Sequence, residues 1–207
     1  MTTHNRLPDY VELDRLAVQE TLRLVRMTDD KDWDRPTPCT DWTVRDLVAH
    51  MTAENNGYAA AARGEGGLPA HWRVPAAFGT DPVRAHGESV AALIVPFAEH
   101  GGGERPFTLP LLGGAFPARV AVSFHLLDSA VHAWDLAAAL GSTPRLPSAV
   151  GEAALRIARR IPDEGRAPFF GPALRPPEDA DPFTATLNLL GRDPHWSPDD
   201  QEPPRSL

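Results

Sequence analysis

The stretch from Ala118 to Leu140, ARVAVSFHLLDSAVHAWDLAAAL, followed by Gly141, decides how this chain folds. Val120, Phe124, Leu127, Val131 and Trp134 recur at three- and four-residue spacing, which predicts one helix over 118–140 with those residues as its core face. Gly141 is the expected C-terminal stop. Each helical residue turns about 100°, so with Phe124 as zero Asp128 falls near +40°, His132 near +80° and His125 near +100°. Three polar groups therefore border the core face and point toward the interior or its rim.

Helical patterns flank this segment on both sides. Residues 10–27 carry apolar positions at helical spacing. A turn-rich stretch over 29–41 follows, with Pro36 and Pro38 blocking helix continuation. Thr43 is a good N-cap for a helix over 44–63, and residues 64–80 form a Gly- and Pro-containing loop. A helix over 82–99 is expected to kink or end at Pro96. Residues 105–110 and 111–116 predict two short extended segments around a Gly-Gly turn. Further helices are expected over 148–160 and near 182–190. The predicted architecture is an all-α bundle with a minor extended element, a single domain over 1–193 and a mobile tail over 194–207.

Bulk properties exclude several roles. A net charge of -8, with no Lys/Arg cluster set against it, argues against nucleic-acid binding. No apolar run approaches the length of a membrane span, and the first residues lack the form of a signal peptide. Cys39 is the only cysteine, which excludes an intramolecular disulfide and suits a reducing cytoplasm. One Lys against nineteen Arg, with abundant Ala, Gly and Pro, reflects a GC-rich, actinobacterium-like source.

Asp128 and His132, four residues apart on one helix, can ligate the same ion if a facing helix supplies a third donor. His50, beside the apolar face of Val44, Leu47, Val48 and Met51, is the candidate. Two imidazoles and a carboxylate suit zinc, and also nickel, iron or cobalt. Spacing alone leaves another explanation open: a hydrogen-bonded structural histidine and a simple i,i+4 Asp–His pair. His125 is expected as a proton shuttle or rim residue rather than a fourth ligand. Asp46 and Asp135 lie one turn before His50 and one turn after His132. Each could accept the second ring N–H of its histidine, or form an ordinary salt bridge. Cys39 reads as a buried structural thiol with no base beside it in sequence, and Trp42 and Trp134 as core aromatics.

The run Thr37 to His50 (TPCTDWTVRDLVAH) resembles the N-terminal signature of the DinB-like, mycothiol-dependent maleylpyruvate isomerase family. Asp128 to Ala137 (DSAVHAWDLA) resembles that family's second metal-binding helix, and Gly191 to Pro194 (GRDP) the closing motif of a short, single-domain branch. The resemblance implies a DinB-like four-helix bundle holding a divalent metal through His50, Asp128 and His132, with mycothiol as cosubstrate. Asp128 stands where the isomerase itself has Glu, and no counterpart of the isomerase's second domain is expected in this chain. The expected activity is S-transfer or isomerisation of a small electrophilic metabolite, with the thiolate activated on the metal. The alternatives are a thiol-independent metal-dependent cyclase, lyase or hydrolase, and a non-catalytic metal- or ligand-binding module. The chain is expected to act as a monomer or homodimer.

Overall fold

The computed structural model describes residues 9–162 and 169–200. Six α-helices carry the fold: α1 (Tyr10–Val25), α2 (Val44–Arg63), α3 (Pro82–His100), α4 (Ala118–Ala139), α5 (Ser148–Ala158) and α6 (Pro182–Leu189). Strands β1 (Pro106–Leu109) and β2 (Gly114–Pro117) form an antiparallel hairpin, with Phe107 opposite Phe116. Helices α1 and α4 pack along one another, α2 packs on α3, and α1–α3 and α2–α4 contacts close a four-helix bundle. α5 and α6 pair with each other and cover α4 and α1 from outside. The all-α bundle with a small hairpin and an added C-terminal helix is the architecture expected from the sequence.

Local chemistry explains where the elements start and stop. Thr43 caps α2 in a reciprocal capping box: its side chain accepts from the Asp46 N–H while Asp46 accepts from the Thr43 N–H. Gly141, at φ 65°, ends α4 in the left-handed conformation that only glycine enters without cost. Helix α3 stays helical through Pro96 to His100 rather than ending there. The carbonyl deprived of its partner belongs to Ala92, on the exposed side of the helix, where water can satisfy it. The hairpin turn is Pro110–Leu112 closed by Gly113, so Leu111 and Leu112 lie in an exposed 3-10 turn rather than a strand.

The expected core face of α4 is corrected. Its residues contribute to three separate apolar clusters: Ala121 and Val122 to one, Ala133 and Leu136 to another, Leu126 and Ala130 to the third. The helix is thus enclosed on nearly all sides, and single-stripe logic does not apply to it. Val120, Phe124 and Trp134, expected in the core, are only half-buried; Val120 and Phe124 line a cavity together with Leu127 and Val131. Residues 201–207 of the expected tail lie outside the described residues; 194–200 include a turn closed by Trp196 N–H on the Asp193 carbonyl and a 3-10 turn over Pro198–Asp200.

Candidate metal centre and its cavity

Helices α2 and α4 bring His50, Asp128 and His132 together across the bundle. Asp128 Oδ1 lies 3.6 Å from His50 Nε2 and 3.2 Å from His132 Nε2, and the three donor atoms lie within 4.8 Å of one another. Tetrahedral zinc with bonds of about 2.0–2.2 Å sets its ligands about 3.3–3.5 Å apart, so these spacings suit one ion. His50 Nε2 is buried without a hydrogen-bond partner. An orphaned imidazole nitrogen facing a carboxylate and a second imidazole is costly unless something electron-poor sits among them. The donor set therefore fits a divalent cation.

Charge in the group is tightly coupled. Burial alone would raise the Asp128 carboxyl, but His132 and His50 beside it hold it well below the usual carboxylate range. Burial likewise opposes a charged His132, yet Asp128, Asp135 and Cys39 push it well above an ordinary histidine. A cation held by these residues would replace the proton that His132 shares with Asp128.

Behind His132 stands a second layer. His132 Nδ1 lies 2.9 Å from Asp135 Oδ2, and because a carboxylate only accepts, Nδ1 carries a proton, so that losing the Nε2 proton would leave Nε2 as the nitrogen free to ligate. Asp135 is fully buried and Arg192 donates to it at 3.2 Å. Burial works against ionisation, but Arg192 and His132 keep the Asp135 carboxyl below its ordinary value. Arg192 arrives from the C-terminal segment because the chain turns at Gly191, two residues after α6 ends. That residue has φ 78°, and a Cβ built on it would sit 2.9 Å from the Gly171 backbone. Cys39, His132 and Asp135 form a second group of closely spaced donors, but there the Arg192 guanidinium, 3.2 Å from Cys39 Sγ, supplies the positive charge.

The remaining expectations divide. Asp135 is placed as a partner of His132, whereas Asp46 is not one of His50: its carboxylate is taken by the Thr43 N–H and hydroxyl in the α2 cap. His125 is neither at the rim nor at the cavity; it is 1% exposed, with Nδ1 2.7 Å from Asp14 Oδ1 on α1, beneath the Tyr58 and Phe97 rings. Cys39 is half-buried rather than sealed in the core, and lines the cavity with Asp135 and Arg192 against its sulfur. Trp42 is both core and site: it packs on the apolar cluster around Leu47, and its ring centroid lies 4.9 Å from that of His50. Trp134 packs against the cluster around Leu126, as expected of a core aromatic.

Sequence reasoning missed Glu54, Arg192 and Asp14. Glu54 lies one turn beyond His50 on α2 and lines the cavity. Burial, then the Asp128 charge, push its carboxyl up to about 7. The i, i+4, i+8 series His50–Glu54–Tyr58 was the available signal. Arg192 and Asp14 reach their partners only through tertiary packing. The cavity has a volume of about 1470 Å³, its wall running from Trp42 and the metal-ligand candidates past Leu127 to Leu112 and Phe170.

No helix among the described residues is long and apolar enough to cross a membrane. Uncharacterized proteins from two strains of Mycobacterium tuberculosis are 35% identical over 128 residues, 61% of this chain; the chain spans 64% of their length. Two crystal structures of the mycothiol-dependent maleylpyruvate isomerase, one of a histidine-to-alanine mutant, superpose with TM-scores of 0.54 and 0.57. Sequence identity to them is 22% and 21%, over 76% of this chain and 70% of theirs, so this likeness concerns the fold. Residues 15–137 match the family described as Mycothiol maleylpyruvate isomerase N-terminal domain, and with that match spanning more than half its length, the chain belongs to this DinB-like family.

Proposed function

We propose that this chain is a metal-dependent enzyme that joins a mycothiol-type thiol to a small electrophile, as an S-transferase or isomerase, with His50, Asp128 and His132 as its metal ligands. The observation that carries the reading is the orphaned His50 Nε2, set among two other donors at the wall of a cavity large enough for two small reactants. When bound, the cation lowers the pKa of an entering thiol and draws electron density from a substrate oxygen.

The chain's own residues do the rest. Asp135 and Arg192 fix the His132 tautomer and ring. Trp42 packs its ring against that of His50. Glu54, one turn from His50 on the cavity wall, is placed to take up or release a proton, and without a cation burial and Asp128 hold its carboxyl up at about 7. In transfer to an epoxide, sulfur bonds to carbon, the C–O bond breaks, and the oxygen takes the proton the thiol lost. In isomerisation, sulfur adds to an activated alkene, the resulting single bond rotates, and the thiol leaves unchanged.

The deciding measurement is elemental analysis of tag-free protein, followed by an assay with mycothiol and an epoxide. About one equivalent of metal is expected, lost in His50→Ala and in His132→Ala without unfolding, together with metal-dependent thioether formation. Metal retained in both variants would sink the ligand assignment. Glu54 also favours a second reading, hydrolysis or elimination without a thiol, in which it takes a proton from water or substrate carbon. Turnover of a small ester or lactone in the absence of any thiol would support that one.

A further inference from the structure

The cavity's wall is chemically lopsided. Around Asp128 on α4, Phe124 and Val131 lie one turn away and Leu127 is its immediate neighbour, and all three line the cavity. Leu127 and Val131 are 4% and 3% exposed, and Phe124 is pinned edge-to-face against Phe116 of the hairpin, with ring centroids 5.4 Å apart. Farther out the wall continues through Leu111 and Leu112, which the 3-10 turn holds 63% and 40% exposed. Exposed leucines that continue an apolar pocket wall outward mark a surface that expects an apolar ligand.

The cationic side chains of the wall do not offset this. Arg192 is committed to Asp135, Arg119 is held by Glu104 at 2.6 Å, and Arg160 stands at the exposed end of α5. The Asp128 and Glu54 carboxyls face the cavity from the end away from Leu112. Away from the metal candidates, a second carboxylate of a small dicarboxylate would face the hydrocarbon of Phe124, Leu127 and Leu112.

We propose that the electrophile this site takes has an apolar body, an alkyl chain or aryl group of several carbons, lying along Phe124, Leu127 and Leu112 with its reactive carbon at the metal end. The inference deepens the thiol-transfer reading and rests on it for the word electrophile. The apolar subsite itself is a matter of binding and is tested separately.

Two series of probes do so. Unreactive 2-alkanones from 2-butanone to 2-nonanone are titrated against metal-free and zinc-loaded protein, with tryptophan fluorescence and calorimetry as readouts. Affinity is expected to rise about three- to fourfold per methylene in both forms. 1,2-Epoxyalkanes of four to eight carbons are then compared with maleate as partners for mycothiol, and kcat/KM is expected to rise with chain length and to exceed that for maleate. Phe124→Asn, a half-buried position, is expected to flatten both dependences. Should it fail to fold, Leu112→Asn at the exposed rim is expected to do so for the longest chains. Affinity independent of chain length, maleate as the tighter ligand, or a chain-length dependence untouched by the variant that folds would each overturn the inference. Chain-length-dependent binding with no conjugation of any electrophile would instead overturn thiol transfer and leave the apolar subsite standing.

Discussion

His132 and Asp135 form a 2.9 Å hydrogen bond three residues apart on one helix, so the backbone that presents the imidazole also orients it. Asp135→Asn keeps the shape but lets the amide donate, which undoes the tautomer preference and leaves Arg192 without its carboxylate. Zinc affinity is expected to fall about 10- to 100-fold, read by competition with a chromogenic chelator. An unchanged affinity in a folded variant would remove Asp135 from the site.

Gly191→Ala tests how Arg192 is delivered. A side chain at φ 78°, close against the Gly171 backbone, should cost about 1–2 kcal/mol of stability from conformation alone. Because Arg192 is the next residue, zinc affinity should weaken alongside the melting temperature. A variant as stable as the parent would show that this turn is not under the constraint described.

The Asp14–His125 pair is predicted to be structural. Both side chains are almost fully buried and bonded at 2.7 Å, and removing one partner strands the other. His125→Ala should cost about 3–5 kcal/mol in denaturant unfolding, while the protein that still folds keeps its metal. Loss of metal without loss of stability would return His125 to the site.

His86 sets an acid limit. It is fully buried between the Thr21 and Thr52 hydroxyls, and burial pushes its pKa down to about 4 from the ordinary 6.5. The unfolded chain therefore binds the proton first as pH falls. Stability from this group is complete above about pH 6.5 and is lost progressively down to about pH 4, by about 3 kcal/mol in all. His86→Gln should flatten that part of the stability-versus-pH curve. An unaltered slope between pH 6.5 and 4 would contradict the burial argument.

Helix positions were legible because they depend on local pattern: the Thr43 cap, the Gly141 stop and the apolar spacing of α2 and α4 are short-range signals. That His50, Asp128 and His132 meet was legible for the same reason, two of them lying four apart on one helix and the third beside the apolar face of α2. Arg192 was not, since it meets Asp135 across 57 residues of sequence. His125 was misplaced because an angular reading of α4 assumed one buried face, and the helix has several. Cys39 was judged by its sequence neighbours, whereas its nearest charged groups, Asp135 and Arg192, are neighbours only in the fold.

The enclosure of α4 by three apolar clusters has a consequence for how the candidate centre treats different ions. Segments that share side chains with every part of a core open last, so amide exchange along α4 should be among the slowest in the molecule. Asp128 and His132 then ride on a frame whose backbone is expected to open rarely. Such a pair discriminates by fit rather than by adjustment. An ion whose preferred bonds are too long or too numerous for the spacing is expected to be held less tightly.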